Sequence, residues 1–279
     1  MTIPGDPNFN TAEARNFAVM GVVNVTPDSF SDAGLYFDLA SAVEHGLALE
    51  AQGATILDVG GESTRPGADP VEAEEESRRV VPVIEGLVAA GVSAQISVDT
   101  SKAEVTERAL AAGATLVNDV TALRAAPEMA ELTAAAGADL CLMHMIGTPR
   151  TMQDDPHYDD AVAEVKRFLE ERMAFAVAHG VREEKIMLDP GIGFGKTVAH
   201  NLELLRRLPE LVALGRPILV GTSRKSFLGD LTGRAVDERL AGTIATNVLA
   251  YERGARIFRV HDVAPCVDAL TVAAATLAG

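Results

Sequence analysis

Short apolar runs rich in valine, isoleucine and leucine recur along the chain, and a longer segment with helical periodicity follows each of them. The runs show little alternation between apolar and polar positions, which is typical of strands buried on both faces of a parallel sheet. Eight runs therefore predict strands, at residues 17–25, 54–61, 94–101, 115–120, 139–147, 185–191, 217–223 and 256–263.

The intervening segments predict amphipathic helices. In 158–179, Val162, Val165, Leu169 and Met173 recur at spacings of three and four residues, which places them on one face of a helix. Similar blocks lie near 38–52, 70–90, 102–112, 127–136, 197–207, 237–252 and 264–277. A strand followed by a helix eight times indicates an α/β fold, a closed (β/α)8 TIM barrel rather than an open doubly wound sheet.

Four glycines stand between a predicted helix and the next strand, where a left-handed residue commonly ends a helix. They are Gly53, Gly113, Gly137 and Gly254. No linker, charge block or low-complexity segment divides the chain. We therefore predict one barrel domain over 17–279, preceded by a tail or barrel-floor segment over 1–16.

Composition narrows the possible functions. The 279 residues are 48% apolar and carry a net charge of −16, which excludes a wholly disordered chain and makes a nucleic-acid partner unexpected. Two cysteines provide neither a disulfide framework nor a Cys-type zinc site. The first residues lack the features of a secretion signal, and no apolar run reaches the roughly 18 residues of a membrane span. We predict a cytoplasmic protein without a membrane segment.

Polar side chains end every predicted strand, at the rim where TIM barrels carry their active sites. One such residue can be a turn cap, but eight strand ends together favour a ligand site lined by carboxylates, amides and cations. The residues are Asn24, Asp58, Glu62, Asp99, Asn118, Asp119, His144, Asp189, Ser223, Arg224, Lys225, Arg259 and His261.

The two kinds of charge occupy different arcs of this ring. Cations gather after strands seven and eight, where barrels often bind phosphate, whereas Asp99, Asn118 and Asp189 suit a ligand edge rich in N–H donors. A nitrogen heterocycle that carries a phosphate or diphosphate satisfies both arcs. The long polar loops after strands one and two are expected to act as lids over the barrel mouth, the alternative being a pair of ordinary surface loops.

Seven motifs, in their order along the chain, closely resemble the dihydropteroate synthase family, from about Met20 to Val263. They are NVTPDSFSD at 24–32, GGESTRPGA at 60–68, SVDTSK at 97–102, NDV at 118–120, LDPGIGFGK at 188–196, SRKSFLG at 223–229 and FRVHDV at 258–263. The resemblance implies that 4-aminobenzoate displaces diphosphate from 7,8-dihydropterin-6-ylmethyl diphosphate, with Mg²⁺ assisting, to give 7,8-dihydropteroate. It also implies a homodimer.

The resemblance assigns roles to matching positions. The pterin is expected to contact Asp99, Asn118, Asp189 and Lys225, with Met143 and Phe194 near its ring. Arg259 and His261 are expected to hold the diphosphate, joined by Asp32 through the metal, while Asn24 binds Mg²⁺ or the diphosphate. The aminobenzoate side is expected to comprise Thr64, Arg65, Pro66, Lys225 and Ser226. Catalysis is expected to depend on Asp32, Lys225, Arg259 and His261.

Residue chemistry agrees with these roles. A carboxylate such as Asp189 can accept a bidentate contact from the adjacent ring N–H and amine of a pterin. Lys225 can contact the ring carbonyl, or it can be an ion-pair partner. Neutralised diphosphate is a good leaving group, so we expect a dissociative substitution in which the arylamine attacks a cation-like methylene.

Other interpretations remain open at this point. A corrinoid-dependent methyltransferase would share the pterin arc but would not need the diphosphate cations. An aldolase would use Lys225 as a Schiff-base nucleophile, and a non-catalytic paralogue would bind pterin without turnover. His144 is expected to be a hydrogen-bonded core residue, and the acidic run at 72–77 to be the solvated first turn of a helix.

Overall fold

A computed structural model describes residues 16–25, 39–63, 67–148 and 150–278 of the chain. Within these residues the strands are β1 (Ala18–Asn24), β2 (Ile56–Gly60), β3 (Gln95–Asp99), β4 (Leu116–Asp119), β5 (Asp139–Met143), β6 (Ile186–Asp189), β7 (Leu219–Val220) and β8 (Ile257–Val260). They form one sheet in the order β6-β5-β4-β3-β2-β1-β8-β7, with every pairing parallel. A single parallel bridge between Leu188 and Ile218 brings β6 to β7. The predicted TIM barrel is confirmed as a nearly closed one.

Helices alternate with these strands. They are α1 (Leu39–Ala51), α2 (Ala73–Ala89), α3 (Ala103–Ala112), α4 (Met129–Ala136), α5 (Ala161–Ala178), α6 (Val198–Arg206), α7 (Pro209–Val212), α8 (Ser226–Thr232), α9 (Leu240–Glu252) and α10 (Val263–Leu277). The eight predicted helical segments are confirmed. The short helices α7 and α8 are additions, since one or two turns carry too little periodicity to predict a helix. None of the helices in the described chain has both the length and the hydrophobicity needed to cross a bilayer.

The predicted helix-ending glycines take the left-handed conformation. Gly113 and Gly137 cap α3 and α4 with φ of 115° and 63°, and Gly53 and Gly254 follow α1 and α9 with φ of 102° and 103°. One local expectation is wrong. The acidic run begins α2 as predicted, but Glu76 is fully buried instead of solvated.

Two apolar regions lie on the two faces of the barrel wall. Side chains such as Leu57, Val98 and Leu188 belong to the large core under the helices. A separate cluster fills the lower barrel and consists of Met20, Ile56, Leu116, Cys141, Met187, Leu219 and Ile257. Strand side chains alternate with a period of two, so the next inward position on each of these strands lies one layer above this cluster. Several of those positions are polar.

Candidate active site

Asp58 occupies the layer directly above the apolar floor, two residues beyond Ile56 on β2, and is fully buried. Its Oδ1 accepts a hydrogen bond of 2.6 Å from the Ser97 hydroxyl. Its Oδ2 accepts hydrogen bonds from Asn118 Nδ2 at 3.0 Å and from Arg259 Nε at 2.7 Å. Asp58 therefore connects strands β2, β3, β4 and β8 at the base of the site.

Arg259 joins two carboxylates. Its Nη2 donates to Asp99 Oδ2 at 2.8 Å while its Nε contacts Asp58. Burial disfavours the charged guanidinium, but the charges of Asp58 and Asp99 outweigh this and raise the pKa of Arg259. Burial raises the pKa of Asp99 to about 7, against the opposing charge of Arg259. Burial therefore opposes ionisation of Asp99 even beside the Arg259 guanidinium.

The opposite wall of the site contains Asp189, Lys225 and Phe194. Asp189 ends β6, and its Oδ1 accepts a hydrogen bond of 2.6 Å from the Gly191 N–H. Lys225 Nζ lies 3.8 Å from the centroid of the Phe194 ring, a cation–π contact. Phe194 belongs to a small apolar cluster with Met143.

Burial moves both titratable groups of this wall toward neutrality. It raises the pKa of Asp189 to about 6, although the Gly191 N–H and the cations Lys225, Lys196 and Arg259 oppose the shift. It lowers the pKa of Lys225 to about 8, helped by the charge of Arg259 and opposed by Asp189 and Asp99. A ligand that pairs with either group would recover part of this desolvation cost.

The turn after β7 positions Lys225 and His261. Arg224 has a left-handed φ of 58°, and its Nε and Nη2 bind Asp262 at 3.0 and 2.6 Å. This bidentate ion pair helps to hold a backbone conformation that is unfavourable for a residue with a side chain. Ser223 Oγ lies 3.0 Å from His261 Nδ1 and also accepts from the His261 backbone N–H at 3.2 Å. The ring of His261 is thereby oriented.

His261 is neutral in this environment. Burial lowers its pKa to about 4, and the neighbouring charges of Arg259 and Arg224 add to the effect. An anion placed beside the ring would favour the protonated form. His261 can therefore take up a proton together with an anionic ligand.

The structure places most of the predicted residues at one end of the barrel. Asn24 is half-buried at the end of β1, and Ser226 is exposed at the start of α8. Four predicted residues, Asp32, Thr64, Arg65 and Pro66, lie outside the described residues. His144 is 5% exposed and hydrogen-bonded, as expected for a core residue.

Two residues in or beneath the site have no role in the sequence-based assignment. Asp58 is named from the sequence only as a polar strand end, although its position two residues after Ile56 indicates that it faces the barrel interior. Lys196 is 3% exposed, and its Nζ contacts His144 Nδ1 at 3.0 Å and the Phe194 carbonyl at 2.9 Å. The only sequence signal for Lys196 is its place at the end of the LDPGIGFGK motif.

Comparison with known proteins places this constellation in a family. The family model described as pterin binding enzyme matches residues 20–261. The dihydropteroate synthase of Escherichia coli K12 is 50% identical over 259 residues, which cover 93% of this chain and 91% of that protein. This chain belongs to the dihydropteroate synthase family.

Solved structures of the family agree closely with the fold. A Xanthomonas albilineans dihydropteroate synthase with 4-aminobenzoic acid superposes with a TM-score of 0.88 at 53% identity, covering 94% of this chain and 93% of that one. The enzyme from the same organism in complex with 7,8-dihydropteroate gives a TM-score of 0.85 at 50% identity, with 94% of each chain covered. The family assignment favours neither the corrinoid methyltransferase nor the aldolase.

Proposed function

We propose that this chain joins 4-aminobenzoate to 7,8-dihydropterin-6-ylmethyl diphosphate, releasing diphosphate and 7,8-dihydropteroate in folate biosynthesis. The observation that carries the proposal is the inward layer of the barrel. There Asp99, Asn118 and Asp189 stand together with Lys225 and Arg259 in a member of the dihydropteroate synthase family.

The pterin ring is proposed to bind deep in the barrel, between these groups. The carboxylate of Asp189 accepts the ring N–H and the exocyclic amine, while Lys225 donates to the ring carbonyl. Asn118 offers one donor and one acceptor to the remaining edge, and its orientation is set by Asp58. The ring then lies near Phe194 and Met143.

The diphosphate is proposed to bind at the cationic arc. Arg259 carries a permanent charge, and His261, held by Ser223, becomes charged as the anion arrives. Both groups stabilise charge on the leaving diphosphate, which is the main electrostatic demand of the reaction. We expect the C–O bond to break ahead of attack, so that the arylamine meets a cation-like methylene and needs no strong base.

Magnesium is part of the proposal. Among the residues that the structure describes, no three His, Cys, Asp or Glu side chains are placed to hold a metal. Mg²⁺ commonly binds through one or two protein oxygens together with substrate phosphates, and Asn24 offers an amide oxygen at the end of β1. This donor set fits an ion that arrives with the diphosphate, whose charge it would neutralise. Asp32 is the second proposed partner.

The aminobenzoate is proposed to bind above the pterin, at Thr64, Arg65, Pro66, Lys225 and Ser226. Ser226 is exposed at the start of α8 and is directly adjacent to Lys225, so the two residues join the arylamine and pterin regions. Sulfonamides share the arylamine and an acidic group with aminobenzoate. We expect them to compete with it at this position.

Formation of dihydropteroate tests the function. Purified protein is supplied with the pterin diphosphate, 4-aminobenzoate and Mg²⁺, and Lys225→Ala serves as the site control. Product from the wild type and a large loss in the variant would support the proposal. Binding of the pterin diphosphate without product would indicate the non-catalytic paralogue instead.

We infer that the chain forms a homodimer through helices α9 and α10. Val272 and Leu277 on α10 are 67% and 52% exposed and line an apolar groove to which Val248 of α9 also contributes. A contiguous exposed apolar surface of this kind is typical of a protein interface. Sedimentation velocity would report a dimer for the wild type and a monomer for Val272→Glu, whereas a monomeric wild type would contradict the inference.

The unpaired, buried Cys141 and Cys266 support a reducing, cytoplasmic location.

A further inference from the structure

Lys196 is a buried lysine for which the proposed reaction gives no role. It stands at the end of the segment that follows β6 and is only 3% exposed. Its ammonium contacts three acceptors, namely Phe194 O at 2.9 Å, His144 Nδ1 at 3.0 Å and His144 O at 3.4 Å. An ammonium has three donors, so this geometry occupies all of them.

The segment between β6 and Lys196, residues 190–196, has little free space around its backbone. Gly191 and Gly193 have left-handed φ of 66° and 83°. A Cβ at Gly191 would lie 1.9 Å from the His144 carbonyl oxygen, and one at Gly193 would lie 2.9 Å from Lys225 Cδ. The backbone therefore runs between the end of β5 and the side chain of Lys225, with no space for a side chain.

Contacts on the outer side complete the confinement. The Tyr158 hydroxyl donates to the Gly195 carbonyl at 2.8 Å, and Asn201 Oδ1 accepts from the Gly193 N–H at 2.8 Å. Lys196 is the charged group on the inner side. Its Nζ donates a hydrogen bond to the Phe194 carbonyl, and the Phe194 ring makes the cation–π contact with Lys225.

Lys196 also lies close to Asp189, since a Cβ at Gly191, whose N–H donates to Asp189 Oδ1, would lie 3.3 Å from Lys196 Nζ. Burial lowers the pKa of Lys196 to about 7, so its positive charge acts on Asp189 on the acid side of that value. The charged groups that face Asp189 are Lys225, Lys196 and Arg259, and the Cys141 thiol lies near it in the barrel interior. All three cations favour the ionised carboxylate, in which form Asp189 can accept two N–H groups of a pterin. Removing one of them weakens that preference.

We propose that Lys196 is a positioning residue of the pterin site, which fixes Phe194 under Lys225 and supplies a second lysine charge to Asp189. The inference deepens the proposed function and rests on it. Lys196 does not touch the substrate in this proposal. It acts through Phe194, Lys225 and Asp189.

The test compares Lys196→Met with Lys185→Met. Lys185 is the control because it is another lysine beside β6 that is held by a partner, Asp139 at 2.8 Å, but it lies at the opposite end of the barrel. Calorimetry measures the binding of 6-hydroxymethylpterin, which lacks the diphosphate, and of inorganic diphosphate, which lacks the ring. We expect Lys196→Met to bind the pterin about ten- to a hundredfold more weakly and to bind diphosphate as the wild type does. Lys185→Met should bind both as the wild type does.

The pH profile separates positioning from general damage to the fold. Without the Lys196 charge, the pKa of Asp189 rises above about 6, so pterin binding should be lost at a higher pH on the acid side than in the wild type. His144→Leu removes the ring acceptor but retains the charge, so it should weaken pterin binding without moving this acid limb. If Lys196→Met does not fold, His144→Leu tests whether Lys196 positions the pterin site. Unchanged pterin affinity in that variant overturns the proposal.

The outcome is distinguishable from failure of the function itself. A wild type that makes no dihydropteroate contradicts the proposed function, whatever the variants do. A wild type that makes product, beside a Lys196→Met variant with the same pterin affinity and acid limb, contradicts only the role of Lys196.

Discussion

Replacing Asp58 by asparagine isolates the contribution of one buried charge to the site. The amide nearly matches the carboxylate in shape, and the hydrogen bonds can persist. An amide nitrogen at the position of Oδ1 would donate to Ser97, whose hydroxyl can turn to accept, while the amide oxygen would keep Asn118 and Arg259. The variant therefore changes the charge with little change in geometry.

The expected fall in kcat/KM follows from the hydrogen bonds to Asp58, which become weaker when their acceptor is no longer charged. A neutral hydrogen bond contributes about 0.5–1.5 kcal/mol and one to a charged group about 1.5–3 kcal/mol, so the Arg259 contact alone weakens by roughly 1–2 kcal/mol. Arg259 retains Asp99 and has 23% of its side chain exposed, which limits the loss. At about 1.4 kcal/mol per factor of ten, kcat/KM for the pterin diphosphate should fall about five- to thirtyfold.

The same substitution should move the pH profile in a defined direction. Burial is the largest cause of the raised pKa of Asp99, about 7, and the charge of Asp58 adds to it. Removing that charge lowers the pKa of Asp99, so the acid limb of kcat/KM should move to lower pH. This shift is opposite to the one expected for Lys196→Met.

Steady-state kinetics between pH 5 and 9, with each substrate varied in turn, is the assay. Ser97→Ala is the control, because it removes a neutral donor from Asp58 and should change kcat/KM less than about threefold. The aminobenzoate KM at saturating pterin diphosphate should remain near the wild-type value. An Asp58→Asn variant with wild-type kcat/KM and an unmoved acid limb would show that the Asp58 charge contributes nothing to the site.

Three further predictions concern other titratable groups. Lys102 pairs with Glu62 and with the fully buried Glu76, so Lys102→Met should lower the free energy of unfolding by about 2–4 kcal/mol in denaturant titrations, and adding Glu76→Met should restore most of the loss. Asp189→Asn should remove pterin binding and raise the melting temperature at pH 8 but not at pH 4. The reason is that a carboxyl whose pKa is raised to about 6 loses stability as the pH rises through that value, and the expected gain is roughly 1–3 kcal/mol. Diphosphate binding near pH 7 should take up protons at His261, whose pKa is lowered to about 4, and calorimetry in buffers of different ionisation enthalpy should show this uptake disappear in His261→Gln.

The barrel and the members of its site were predictable because both follow from local patterns. Apolar runs separated by helical periodicity predicted eight strands that alternate with helices, and the polar residues that end those runs necessarily meet at one rim of a parallel barrel. Asp99, Asn118, Asp189, Lys225 and Arg259 were identified in this way, and the structure brings them together.

Side-chain partnerships were not predictable, because they depend on how the strands are staggered. Arg259 and Asp58 are 201 residues apart, and their contact depends on the register of β8, β1 and β2. Glu76 shows the same limitation. Its acidic neighbours indicate a solvated helix face, and only the packing of α2 against the barrel places this one carboxylate inside, where Lys102 reaches it.

The buried charges of the site also explain how it selects its ligand. Asp99 and Asp189 resist ionisation, and Lys225 resists protonation, because all three are held away from water. A pterin supplies N–H groups to the carboxylates and a carbonyl oxygen to the lysine, which replaces the lost hydration. A ring that lacks the N–H pair leaves Asp189 with the Gly191 N–H but without its ligand donors, and sites built around such buried polar groups reject the unmatched analogue by factors on the order of 10⁴. The burial that opposes ionisation of Asp189 is therefore the same property that makes the site specific.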